Sequence, residues 1–148
     1  MNLTSIEVHR QINASPAEVY AVWLDPQCAG GPWYGPQSET MQSKVILAPA
    51  VDGLFYHRVT NTAYGQTFVH YGRFTALEPG ARVEHTWVCE ATRGRESIVT
   101  TTFVARDGGT LVTVSQTGIP DDEAGRGQDA GWKWLLGALV DTMAARTR

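Results

Sequence analysis

The sequence contains little lysine and no excess of positive charge. Lys44 and Lys133 are the only lysines, and 12 basic residues face 15 acidic ones, which gives a formal net charge of -3. Nucleic-acid binding needs a concentrated basic surface, and attraction to an acidic membrane needs a cluster of basic residues. The composition therefore argues against a nucleic-acid partner and against a polybasic membrane anchor.

Cysteine is also scarce, and long apolar runs are absent. Cys28 and Cys89 lie far apart without the local spacing of a metal site, and 2 cysteines in 148 residues do not make a disulfide scaffold. No apolar run approaches the ~18 residues of a membrane span, and residues 1–5 lack a signal-peptide core. We therefore expect a cytoplasmic protein that does not insert into membranes.

The remaining composition is typical of a packed chain. Hydrophobic residues make up 43% and charged residues 18% of the sequence, without repeats, low-complexity tracts or long linkers. Residues 1–148 are therefore predicted to form one domain. The sequence leaves monomer and homodimer equally open.

The beginning of the chain predicts a strand followed by a short helix. Residues 6–12 alternate apolar and polar side chains, which is the period of a half-buried strand. Ser15 and Glu18 have the spacing of a capping box at a helix start. The helix should end before Pro26, because proline disfavours helical backbone in the preceding residue.

Residues 27–40 are rich in glycine and proline and are predicted to be a loop or a broken short helix. Trp33 and Tyr34 stand next to each other in this segment. Adjacent loop aromatics either anchor the loop or contact a ligand, and we include both residues in the candidate site.

Strand-like stretches then follow almost without interruption. They are predicted at about 41–47, 54–60, 66–77, 82–90, 96–105 and 110–117. The separators carry turn residues and are too short for a crossover helix, so consecutive strands should be antiparallel. Asp107-Gly108-Gly109 is the strongest hairpin signal among them.

Apolar residues recur at helical spacing in the last segment, which predicts one helix ending near Ala145. The helix starts either near residues 120–123, where acidic side chains suit the helix dipole, or near Asp129. Glycines weaken its first half by ~1 kcal/mol each relative to alanine. These glycines either delay the helix start or leave a gap against the sheet. The three residues are Gly125, Gly127 and Gly131.

This order of elements predicts an α+β fold in which a curved, seven-stranded antiparallel sheet wraps around a long C-terminal helix. One helix rarely fills the interior of a strongly curved sheet. A cavity open at one end should therefore lie between helix and sheet, and such concave, mostly apolar spaces bind small molecules.

The alternation of side chains along the strands indicates which residues line that cavity. The inward sets include three histidines and one glutamine among apolar and aromatic neighbours, and polar groups there need partners or a wet pocket. With the loop and helix aromatics, the candidate lining residues are Trp33, Tyr34, Phe55, His57, His70, His85, Trp87, Gln116 and Trp132. Trp134 faces another side of the helix and either is exposed or packs under the loop that carries Trp33.

An ordered set of short motifs resembles the SRPBCC superfamily (START-like, helix-grip fold), within it the group named after the C-terminal domain of the heat-shock-protein ATPase activator. The motifs are Arg10…Ala14-Ser15-Pro16-Ala17-Glu18-Val19-Tyr20, Leu24-Asp25-Pro26, Trp33-Tyr34-Gly35-Pro36, Gly72 before Phe74, Glu78-Pro79 with Arg82 and Thr86-Trp87, Gly109-Thr110, and Gly131-Trp132 with Leu135 and Leu139. The resemblance implies a helix-grip domain with a hydrophobic cavity. Such proteins often carry histidine where Gln116 stands and an apolar residue where His85 stands.

Three functions follow as hypotheses. The first is binding of a small hydrophobic or aromatic molecule, without cofactor or metal. The second is a polyketide cyclase- or dehydratase-like enzyme that uses pocket histidines as acid and base. The third is a chaperone-associated interaction module. A site of three histidines could bind zinc, but no local spacing or carboxylate partner supports it.

Overall fold

The computed structural model describes residues 1–25 and 40–146, and within them seven strands form one antiparallel sheet. The strands are β1 (Leu3–Ile12), β2 (Met41–Leu47), β3 (Leu54–Asn61), β4 (Gln66–Glu78), β5 (Arg82–Trp87), β6 (Ser97–Arg106) and β7 (Gly109–Pro120). They are arranged in the order β1-β7-β6-β5-β4-β3-β2. The helices of the described chain are α1 (Pro16–Trp23), α2 (Glu123–Arg126) and α3 (Gln128–Arg146), with a 3-10 turn at Glu90–Thr92.

The predicted start of the first helix is confirmed by its cap. The backbone N–H of Glu18 donates to Ser15 Oγ at 3.3 Å, and the Ser15 hydroxyl donates to Glu18 Oε1 at 3.0 Å. These bonds use an otherwise unpaired N–H of the first helical turn. The helix packs its aromatic side against the sheet, since the rings of Tyr20 and Trp23 lie 5.5 and 6.0 Å from that of Phe103.

Helix α3 covers the apolar face of the sheet, so the helix-grip architecture is confirmed. Its buried side chains join one core with the inward residues of the strands, and the alternation of β6, which the sequence left ambiguous, buries Val99 and Phe103. The helix contributes Trp132, Leu135, Leu136, Leu139 and Met143 to this core.

Strand β4 changes partner along its length, and this bends the sheet. Its first half pairs with β3 and its second half with β5, with a register shift between Phe74 and Ala76. Gly72 lies at the change, where a Cβ atom would stand 2.2 Å from the carbonyl oxygen of Thr86. Only glycine allows the two backbones to approach so closely.

The predicted end of the fifth strand was wrong. The stretch predicted at 82–90 ends as a strand at Trp87, because Thr92 Oγ1 accepts the Cys89 N–H at 3.0 Å and turns the chain. Of the two starts left open for the last helix, the later one near Asp129 agrees with the structure, because α3 begins at Gln128 and Asp122 caps the separate short helix α2.

Candidate ligand-binding cavity

A cavity of about 530 Å³ lies between one end of the sheet and the beginning of α3. Strands β2 to β5 supply one side, and the segment after β5 with the start of α3 supplies the other. Among the described residues, its lining consists of Met41, His57, Val59, Phe68, Val69, His70, Trp87, Cys89, Glu90, Ala91, Ala124, Gly127, Gln128, Ala130, Gly131, Trp132, Trp134 and Leu135.

Four ring side chains form a continuous surface of the cavity, which we call the aromatic wall: His57, His70, Trp87 and Trp132. The ring of His70 stacks on Trp87 with centroids 4.7 Å apart and lies 5.5 Å from that of His57. The ring of Trp132 lies 4.8 Å from that of Trp87. The wall follows from strand register, since His57 and His70 are direct cross-strand partners.

Behind the wall lies a second layer of rings. Phe55 stacks on Trp87 at 5.6 Å and meets the edge of His85 at 4.8 Å. His85 is fully buried, and its Nδ1 lies 2.8 Å from the carbonyl oxygen of Thr86. That carbonyl can only accept, so Nδ1 carries the proton. Phe55 and His85 therefore support Trp87 without belonging to the cavity lining.

Two glutamines join the sheet to the start of α3. Trp132 Nε1 donates to Gln116 Oε1 at 2.9 Å, and Gln116 Nε2 donates to Gln128 Oε1 at 3.0 Å. Trp87 Nε1 also donates to Gln128 Oε1, at 3.2 Å. Both indole N–H groups are thus used inside the protein. The tryptophans therefore offer a ligand only ring carbon atoms.

The two histidines of the wall are held neutral. Burial, together with a smaller effect of the neighbouring His70, lowers the pKa of His57 to about 3. Burial also lowers the pKa of His70 to about 4, against an opposing interaction with the His57 backbone. Burial disfavours the charged imidazolium because the interior solvates charge poorly. The wall therefore carries no positive charge at neutral pH.

The predicted site residues fall into three groups. His57, His70, Trp87 and Trp132 lie together along the cavity, whereas Phe55, His85 and Gln116 lie behind the lining. Trp33 and Tyr34 are outside the described residues. Strand alternation identified which side chains point inward, but it could not separate a ring that faces the space from one buried behind it.

Several lining residues were not among the candidate lining residues predicted from the sequence. Gln128 shares the helical spacing of the last segment, but that spacing did not predict its place in the lining, which depends on the break between α2 and α3. Trp134 is half-buried beside the cavity and is neither fully exposed nor in the sheet-facing stripe. Glu90 is brought to the cavity by the 3-10 turn that ends β5.

Neither a metal cluster nor a membrane-spanning helix is found in the described chain. No three histidine, cysteine or acidic side chains among residues 1–25 and 40–146 come together in a group that could hold a metal ion. Over the same residues, no helix combines the length and the apolar character needed to cross a membrane.

Comparison with known proteins places the chain in a well-populated fold. The family model described as "Activator of Hsp90 ATPase homolog 1-like protein" matches residues 13–144. A crystal structure of a Chromobacterium violaceum protein is similar, with 28% identity, a TM-score of 0.79, and 94% of this chain and 96% of that chain covered. A search of curated proteins found no match.

Two further solved structures share the fold at lower identity. The AHSA1-like protein from Aeromonas hydrophila is 23% identical, with a TM-score of 0.73 and coverage of 97% of this chain and 94% of that chain. DynU16, a protein of the dynemicin biosynthetic locus, is 18% identical, with a TM-score of 0.72; the match covers 95% of this chain and 47% of that chain.

Proposed function

Because the chain belongs to the family of Activator of Hsp90 ATPase homolog 1-like proteins, we propose that it binds a small, largely apolar molecule with an aromatic ring in the cavity beside α3. The observation that carries this proposal is the aromatic wall exposed to a space of about 530 Å³. Ligand pockets usually enclose roughly 300–1,000 Å³ and are lined mainly by hydrophobic and aromatic side chains.

The energetics of such a site favour a planar ring. An aromatic group the size of a tryptophan side chain buries roughly 200 Å². At ~25 cal/mol per Å² this contributes about 5 kcal/mol before the entropy lost on association is subtracted. Stacking on Trp87 or Trp132 adds about 1 kcal/mol. The gross sum of about 6 kcal/mol corresponds to a dissociation constant of about 40 µM, so ligands that fill only the ring site should bind more weakly than this once the association entropy is subtracted.

A cavity-filling substitution tests the proposal without removing the wall. A Cβ atom at Gly131 would meet nothing within 4 Å, and Gly131 lines the cavity. Gly131→Leu should therefore place a side chain in the space and reduce the affinity for the neutral fluorophore N-phenyl-1-naphthylamine by about ten-fold or more.

The matched control lies on the same helix. Gly137 also leaves its Cβ position open, but it does not line the cavity. Gly137→Leu should keep the affinity of the unchanged protein, while circular dichroism verifies that both variants are folded. Equal affinity of Gly131→Leu and the unchanged protein would contradict binding in this cavity.

A cyclase- or dehydratase-like activity is the second candidate, supported by two imidazoles in the wall and by the fold shared with DynU16. The lowered pKa values of His57 and His70 oppose it, because general bases work best with a pKa near the operating pH. His85 is behind the lining and cannot touch a ligand. If His57→Ala and His70→Ala leave the turnover of polyketide-like substrates unchanged, catalysis by these residues is refuted.

A further inference from the structure

The charge of the cavity narrows the ligand class. Among the described lining residues, Glu90 is the one charged side chain, and neither lysine nor arginine is present. Residues 26–39, which are outside the described part, contain no lysine or arginine in their sequence either. A ligand in the cavity therefore meets a carboxylate and no cationic partner from these parts of the chain.

Cationic side chains next to lining residues in the sequence are already paired or turned away. Arg126 forms an ion pair with Asp121, and Lys133 pairs with Asp129 at 3.6 Å. Arg58 is exposed. Side chains alternate between the two faces of β3, so Arg58 lies on the face opposite its lining neighbours His57 and Val59. These groups do not compensate for the missing positive charge inside.

The polar atoms of the wall do not supply a substitute. The indole N–H groups of Trp87 and Trp132 donate to Gln128 and Gln116. His57 and His70 are neutral imidazoles, and each carries one N–H but no positive charge at neutral pH. The faces of the tryptophan rings carry negative electrostatic potential, which attracts cations and repels anions.

We propose that the cavity accepts neutral and cationic aromatic compounds, in particular arylalkyl amines, and excludes aromatic carboxylates. This inference rests on the proposed function and specifies its ligand class. A cationic amine interacts favourably with the ring faces and with Glu90 at the rim. A carboxylate would lose its hydration without gaining a positively charged partner among the described lining residues.

A matched series of naphthalene probes tests the charge preference at pH 7 and low ionic strength. The probes are 1-naphthylmethylamine (cationic), 1-naphthylacetamide (neutral) and 1-naphthylacetate (anionic). We expect the acetate to bind about ten-fold or more weakly than the acetamide, and the amine at least as tightly as the acetamide. Equal binding of acetate and acetamide would overturn the inference while leaving the proposed function intact. If none of the probes binds, the proposed function itself fails, and the inference with it.

Charge variants at the rim provide the second readout. Glu90→Gln should weaken binding of the amine about two- to five-fold, as for an exposed ion pair, and leave the acetamide unchanged. Glu96, an exposed carboxylate outside the lining, gives the control Glu96→Gln, which should change neither affinity. If Glu90→Gln leaves the affinity for the amine unchanged, the Glu90 carboxylate does not contribute to the binding of cations.

A reversal variant completes the test. Ala130 is exposed and lines the cavity from α3, so a longer side chain is tolerated there. Ala130→Lys should raise the affinity for the acetate about three-fold or more relative to Ala130→Gln, which has a similar length without the charge. Acetate binding that is the same in both variants would show that charge does not control access.

Discussion

Replacing Gln116 by leucine should destabilise the protein by about 2 kcal/mol, because it leaves a buried donor without an acceptor. Gln116 is fully buried and accepts the indole N–H of Trp132 at 2.9 Å. Its amide nitrogen donates to Ser97 Oγ at 3.1 Å and to Gln128 Oε1 at 3.0 Å. Leucine has a similar volume, so the main change is the loss of hydrogen bonds.

The size of this loss in stability depends on which hydrogen-bond partner of Gln116 is left unpaired. Gln128 Oε1 keeps the Trp87 N–H, and Ser97 Oγ keeps its bond to the Trp87 carbonyl at 2.7 Å. Within residues 1–25 and 40–146, Trp132 Nε1 donates to no acceptor other than Gln116 Oε1. One unpaired buried N–H costs about 1–3 kcal/mol. For a chain of this size the melting temperature should fall by roughly 4–8 °C.

A double-mutant cycle checks the cause. Trp132→Phe removes the donor, so the combined Gln116→Leu, Trp132→Phe variant should cost less than the sum of the single changes by about 1–2 kcal/mol. Urea unfolding measures each free energy of unfolding. Additive free energies, or a loss below about 0.5 kcal/mol in Gln116→Leu, would refute the reasoning.

Three further predictions concern the wall, its titration and the glycines. Trp87→Ala should weaken binding of N-phenyl-1-naphthylamine and cost about 3–5 kcal/mol in unfolding free energy, whereas Trp87→Phe should retain most of both, because the ring carries the contacts. Because the pKa of His70 is lowered to about 4, the unfolded chain binds the proton first, and His70 should cost stability as the pH falls from 6.5 towards 4. In urea unfolding, His70→Gln should therefore lose about 3 kcal/mol less than the unchanged protein over this range, while the losses from His57 and His85, whose pKa values burial also lowers, remain in both proteins. Gly131→Ala should raise the melting temperature by roughly 1–4 °C, because its Cβ meets open space. Gly125→Ala should lower it, because its Cβ would stand 2.0 Å from the Pro120 carbonyl oxygen. The opposite order of the two melting temperatures would contradict the geometry.

Much of the fold could be predicted from local patterns, because each element is signalled by neighbouring residues. The capping box at Ser15 and the alternation in β3 and β5 are examples, and both agree with the structure. The end of β5 could not be predicted in this way. It depends on a Thr92 side chain that competes for the backbone of Cys89, and such competition is decided by geometry rather than by periodicity.

The sequence predicted which side chains point into the interior, but not which of them line the cavity and which lie behind the lining. Alternation placed His57 and His85 on the same inward face, and both are buried. His57 belongs to the lining because β3 borders the open space, whereas His85 is covered by Phe55 and Phe74. The sequence alone does not indicate which strand borders the cavity, because that depends on where α3 starts.

The position of the cavity follows from the unequal halves of α3. Toward its C-terminal end, Leu139 and Met143 share the core with the inward residues of the sheet and fill the space. Toward its N-terminal end, Ala130 and Gly131 have side chains too small to fill the space. The ring of Trp132 contacts that of Trp87, and its hydrogen bond to Gln116 holds it there. The space is therefore bounded by rings on the sheet side and by small residues on the helix side. Changes at the small residues alter its volume while the wall stays in place, so ligand affinity can be lowered there without the loss of stability that changes to the wall should cause.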